Sequence, residues 1–212
     1  MATLKAAILP VTPLQQNCTL MYDDETKAGV VIDPGGDVDR IVEAIGEIGI
    51  EVEKILLTHG HIDHAGGAAE LKEKLGVPIE GPHEADRFLL EGLEQTAAEY
   101  GMSGARNVEP DRWLKEGDTV SFGPFTFAVC HCPGHAPGHV VFLQEELRIA
   151  HVGDVLFKGS IGRTDFPYGD HAALIDAIKT KLLPLGDDMG FICGHGPPST
   201  FGEERQTNPF IQ

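Results

Sequence analysis

The chain has 212 residues, 42% hydrophobic and 23% charged, with 26 Gly and 14 Pro. This suits one large, loop-rich α/β domain or two tight halves sharing a core, and it excludes collagen, coiled coil and disorder. Sixteen Lys and Arg against 33 Asp and Glu leave a net charge of −17, which repels phosphate backbones and argues against a nucleic-acid partner. No apolar run approaches the roughly 18 residues of a membrane helix, so no membrane partner is expected.

MATLKAAILP reads as a first strand rather than a signal peptide. Strands are expected at 4–11 and 17–22, a polar turn at 23–27, and a strand at Ala28–Ile32 that runs into Asp33–Pro34–Gly35–Gly36. Residues 38–48 carry helical spacing, with Ile41, Ile45 and Ile48 on one face. A strand over Lys54–Thr58 leads to a histidine cluster, and Ala68–Leu75 reads as a helix closed by Gly76. A longer helix is expected over 84–100, interrupted in propensity by Gly92. Four strands follow, at Thr119–Phe122, Phe125–Cys132, Val140–Leu143 and Arg148–Val152. Then come a helix over Ala172–Leu183 capped by Asp170, a last strand at Met189–Cys193, and a polar tail. The order implies a sheet-on-sheet core with helices outside. Cys18, Cys130, Cys132 and Cys193 lie in apolar stretches and read as buried thiols in a reducing cytoplasm.

The ten histidines carry the chemistry. Thr58–His64 reads THGHIDH, directly after Ile55–Leu56–Leu57. Imidazole and carboxylate suit Zn²⁺ and related ions, so His59 and His61 can serve one metal, with Asp63 and His64 on a second beside it. His135 sits in CPGHAPGH, where Pro133 and Gly134 lift an imidazole off a strand end. Asp154, in HVGDVLF, can bridge two metals, and His195 lies between glycines in CGHGPPS. The set closes as His59, His61 and His135 on one ion, Asp63, His64 and His195 on the other, and Asp154 between them. Each shell is completed by water or hydroxide, as in an open catalytic site. His139 and Asp33 are expected to support the ligands, His139 through its ring N–H. His83 and His131 read as structural, His151 as buried or supporting a ligand, and His171 as a bland residue after the cap Asp170, with a place near the cleft mouth as its lesser reading. Arg163, nine residues after Asp154, is a candidate fork for a substrate carboxylate, and Lys158 a further substrate-binding candidate.

These motifs, with IDPGG at 32–36, GRTDF at 162–166, GHGPPST at 194–200 and NPF at 208–210, resemble the metallo-β-lactamase-fold hydrolases along nearly the whole chain. Within them the sequence is similar to the short, single-domain glyoxalase II type, YcbL-like. The resemblance implies an α/β fold, an αβ/βα four-layer sandwich of two mixed sheets with outer helices, as one domain over residues 1–212. It implies two divalent metal ions, zinc foremost, with iron or manganese accepting the same ligands. It implies hydrolysis of a small-molecule glutathione thioester, S-(2-hydroxyacyl)glutathione such as S-D-lactoylglutathione, by attack of a metal-bridging hydroxide, with Asp63 holding the nucleophile and shuttling its proton. The family's glutathione-binding basic residue falls on Arg163. The C-terminal helical domain that adds basic contacts in longer glyoxalases II has no counterpart before Gln212. A cytoplasmic monomer or homodimer is expected. Rival readings are a persulfide dioxygenase with one Fe(II) on His59, His135 and Asp154, a β-lactamase, a nuclease, and a metal-binding protein without turnover.

Overall fold

A computed structural model describes residues 2–101 and 103–212. Its first sheet takes β1 (Leu4–Val11), β2 (Gln16–Asp23), β3 (Ala28–Ile32), β4 (Glu51–Leu56) and β5 (Ile79–Glu80) in that spatial order. β1–β2–β3 pair antiparallel and β3–β4–β5 parallel. The second sheet runs β13 (Ser199–Thr200), β12 (Gly190–Cys193), β9 (Ile149–Gly153), β8 (Val140–Gln144), β7 (Phe125–His131), β6 (Thr119–Phe122). There β9 and β12 are parallel and the other pairs antiparallel. A small hairpin, β10 (Leu156–Phe157) with β11 (Ser160–Ile161), stands apart. Both main sheets are mixed, as expected.

Strand alternation builds three apolar layers. Met21, Val30, Ile32 and Leu56 of the first sheet face Phe122, Phe127, Val129, Val140, Phe142 and Ile192 of the second. Their neighbours point the other way. Leu20, Val31 and Ile55 pack under α1 (Val38–Ile48), α3 (Ala68–Leu75) and α5 (Leu93–Tyr100). Val141, Ala150, Val152 and Phe191 pack under α6 (His171–Ala177) and α7 (Phe201–Thr207). Two sheets buried on both faces need helices on each side, and this gives the four-layer αβ/βα sandwich. Among the described residues no helix is long and apolar enough to cross a membrane.

Several elements differ from expectation. β4 ends at Leu56, not Thr58, because the Thr58 side chain and N–H are taken by Asp33. The stretch 84–100 is three pieces, a 3₁₀ turn at Glu84–Asp86, α4 (Arg87–Glu91) and α5, broken at Gly92. Asp170 does cap α6, accepting from Ala173 N–H at 3.0 Å, but the helix loosens to a π turn at Ile178–Leu182 and then tightens to a 3₁₀ turn at Leu183–Leu185, which contains Pro184 and ends at Gly186. The polar tail contains α7, capped by Thr200 and anchored by buried Phe201 and Glu204. All four cysteines are free and buried.

Candidate metal centre

The C-terminal ends of β3, β4, β7, β9 and β12 open onto one edge of the sandwich, each delivering candidate residues. Asp33 follows β3. His59 and His61 follow β4, and Asp63 and His64 lie on the one-turn helix α2 (Ile62–Ala65). His135 and His139 lie in the loop after β7, Asp154 follows β9, and His195 follows β12. Residues as far apart in the chain as Asp33 and His195 thus share one gap; Asn17 Nδ2 pins this region by donating to Cys193 O at 2.9 Å.

Ligand-capable atoms of His59, His61 and His135 lie within 4.8 Å of one another, and so do those of Asp63, His64 and His195. His59 Nε2 is 3.0 Å from His61 Nδ1; three nitrogens about 2.1 Å from a tetrahedral ion would be about 3.4 Å apart. Asp154 lies between the groups, with Oδ1 3.3 Å from His64 Nε2 and Oδ2 3.6 Å from both His135 Nε2 and His195 Nε2. Among the described residues His64 Nε2, His135 Nε2 and Asp154 Oδ1 are buried without a hydrogen-bond partner. Buried polar atoms cost free energy when unpaired, so three converging orphans fit a cation that would satisfy them.

The far sides of the rings explain the aim. His59 Nδ1 meets Thr58 Oγ1 at 3.0 Å, Thr58 Oγ1 donates to Asp33 Oδ2 at 2.6 Å, and His64 Nδ1 meets the same Asp33 oxygen at 2.9 Å. Asp33 also groups with His59 and His64 as a third cluster, but its oxygens are spent on Thr58 and His64, so it orients them. His135 Nδ1 donates to Arg163 O at 2.8 Å. His61 Nε2 meets Tyr168 Oη at 2.8 Å, leaving Nδ1 for the gap. His139 acts in the opposite sense from expectation: its Nε2 accepts the Asp154 backbone N–H at 3.0 Å rather than donating, and its ring stacks on His59.

Burial pushes His59 well below its ordinary value, His61 to about 3 and His135 downward, so these rings are neutral and ready to bind. Burial opposes charge on His64 as well, but Asp154 and Asp63 outweigh it and pull the ring well above the ordinary imidazole range. Burial likewise opposes ionisation of Asp63 and Asp154, yet His64 above all holds both carboxyls below theirs. The pocket therefore demands positive charge.

A cleft of about 490 Å³ leads to this centre, lined by apolar Leu14, Ile62, Leu89, Phe157, Ile161 and Phe166, with Tyr168 and Arg163. Arg163 forms a two-pronged ion pair with Asp165 at 2.7 Å and stacks over Phe166. Lys158 pairs with Glu203 at 3.2 Å and does not line the cleft. His83 caps the 3₁₀ turn and stacks on His131, whose Nε2 bonds Pro137 O; His151 is buried against Thr19 Oγ1, and His171 starts α6 on the exposed surface. Tyr168 was not singled out from sequence, where a lone tyrosine in a Pro–Gly loop carries no distinguishing signal.

A family model of the metallo-beta-lactamase superfamily matches residues 11–195. The chain belongs to that superfamily. It is 48% identical over 205 residues to hydroxyacylglutathione hydrolase GloC of Haemophilus influenzae, covering 96% of each chain. Its fold is similar to that of BLEG-1 B3 metallo-beta-lactamase, at a TM-score of 0.89 and 35% identity over 98% of this chain and 99% of that one. TTHA1623, crystallised in a di-iron-bound form, superimposes at 0.87 with 39% identity over 96% and 99%. The metallo-beta-lactamase fold and the clustered His and Asp side chains mark this chain as one that binds divalent metal.

Proposed function

We propose that the protein is a thioester hydrolase of the glyoxalase II type, cleaving S-(2-hydroxyacyl)glutathione to glutathione and a hydroxy acid with two divalent cations, zinc foremost. The observation that carries the reading is Asp154 set between a three-imidazole group and an Asp–His–His group, in a chain nearly half identical to a hydroxyacylglutathione hydrolase over its length. His59, His61 and His135 would hold one cation, Asp63, His64 and His195 the other, with Asp154 touching both. When bound, such cations lower the pKa of water toward roughly 7 and polarise a carbonyl.

The chain's own groups do the rest. Asp63 borders the cleft, with Oδ2 3.1 Å from His195 Nε2; its carboxylate is placed to hold the attacking water and take its proton. The leaving thiolate is stable near neutral pH, so no strong general acid is required. The apolar walls exclude bulk water and strengthen local electrostatics. Arg163 at the mouth is the side chain offered to the glutathionyl carboxylates, in competition with Asp165. Lys158, paired with Glu203, does not line the cleft, so Arg163 is the basic group offered there. The four buried free thiols go with work in a reducing cytoplasm.

The test is thiol release from S-D-lactoylglutathione by enzyme of measured metal content, expected to rise with occupancy to two ions per chain. No release at any loading, with oxygen uptake on glutathione persulfide, would replace this reading by the single-iron dioxygenase.

A further inference from the structure

Asp86 lies outside the seven candidate ligands, yet it is fully buried. Its Oδ2 accepts from Gly60 N–H at 2.9 Å and its Oδ1 from Gly138 N–H at 2.5 Å. Among the described residues no ion pair engages it. Burial pushes its carboxyl up to about 7 even though the Gly138 and Gly60 N–H groups pull the other way. The same 3₁₀ turn adds a further bond, His83 N–H to Gly138 O at 3.0 Å.

The two glycines are placed with purpose. Gly60 separates His59 from His61, and Gly138 sits in the loop of His135 and His139. A Cβ on Gly138 would stand 2.7 Å from Asp86 Cγ and 2.5 Å from His83 O; one on Gly60 would stand 2.7 Å from Leu89 Cβ. Only a bare backbone allows this approach. The loops are also joined by Val140 N–H to Thr58 O at 2.8 Å, so Asp86 supplies a second tie through Gly60, between the two imidazoles.

We propose that Asp86 is a positioning residue that sets the separation of these two loops, and through it the affinity of the His59–His61–His135 site for its cation. The Asp63–His64–His195 site draws its atoms from α2 and from the loop after β12, neither of which Asp86 bonds, and keeps its affinity without it. The proposal rests on cation binding by these clusters and not on the thioester reading. It is tested in metal binding rather than turnover, so either can fail while the other stands.

Asp86→Asn is the test, because the amide has one acceptor oxygen and turns an NH₂ toward the second N–H donor. Metal-free protein is titrated with Zn²⁺ by calorimetry and with Co²⁺ by visible absorption. One of the two binding events is expected to weaken by about 10- to 100-fold, while the other stays within about threefold. Asp23→Asn is the control for losing a buried carboxylate: Asp23 accepts from Thr3 N–H, Thr26 N–H and Thr26 Oγ1 at the opposite end of β2, and both events should match the parent. If Asp86→Asn does not fold, Asp86→Glu, which keeps both acceptors but lengthens the tie, is expected to show the same one-sided loss. Equal weakening of both events, no weakening, or the same one-sided loss in Asp23→Asn would overturn the proposal.

Discussion

Gly194→Ala adds one methyl group at the point where the two ligand groups meet. Gly194 has no positive φ, so alanine meets no backbone penalty. The new Cβ would stand 2.6 Å from His64 Cε1 and nearer still to Asp154 Oδ1. The backbone cannot retreat, because Gly194 N–H donates to Gly153 O at 2.9 Å and Gly194 O accepts from Asn17 N–H at 2.7 Å. To regain the 3.4 Å of ordinary contact, the His64 ring must move by about 0.8 Å and the Asp154 carboxylate by more. A displacement near 1 Å at reacting groups costs about 100-fold. The variant should therefore lose about 100-fold in kcat/KM for S-D-lactoylglutathione and bind fewer than two ions, while keeping its far-UV circular dichroism. Activity within threefold of the parent with full metal content would refute the steric reasoning.

Tyr168→Phe removes the oxygen that fixes His61 in the tautomer with Nδ1 free; metal affinity should fall about tenfold, read by competition with a chelating dye, and unchanged affinity would leave the hydroxyl idle. Asp165→Asn frees the Arg163 guanidinium and should lower KM for a glutathione thioester about two- to fivefold, the modest range of an exposed pair, whereas Arg163→Ala should raise it; steady-state kinetics in low salt decide. Burial lowers His151 to about 4 from 6.5. The unfolded chain therefore binds the extra proton, and this residue's contribution is complete above pH 6.5 and is lost as pH falls toward 4, by up to about 1.4 kcal/mol per pH unit. Urea denaturation of metal-free His151→Asn should show that much less slope than the parent over this range.

The candidate ligands were legible as a cluster because short apolar runs leading into His or Asp recur five times, and a strand end delivers its next side chains to the sheet edge. The order of strands and helices likewise carried the sheet-on-sheet core, and the family resemblance the four-layer sandwich. What was illegible depends on distant partners. Asp33 attracts notice through its motif, but nothing local shows that Thr58 relays it to His59. The acceptor role of His139 follows from where the Asp154 N–H lies, 15 residues on. Lys158 looked available because Glu203 is remote in sequence, and α7 was hidden by its charged composition, since Phe201, Gly202 and Glu204 alone turn inward. Gly92 read as a weakness in one helix and is instead the junction of two short ones.

The central claim is that seven side chains hold two neighbouring cations. Anomalous diffraction from crystals of the zinc-loaded protein, recorded on both sides of the zinc edge, tests it directly. Two peaks should appear, one among His59, His61 and His135 and one among Asp63, His64 and His195, each contacted by Asp154. A single peak at full zinc loading, or Asp154 turned away from both, would contradict the account.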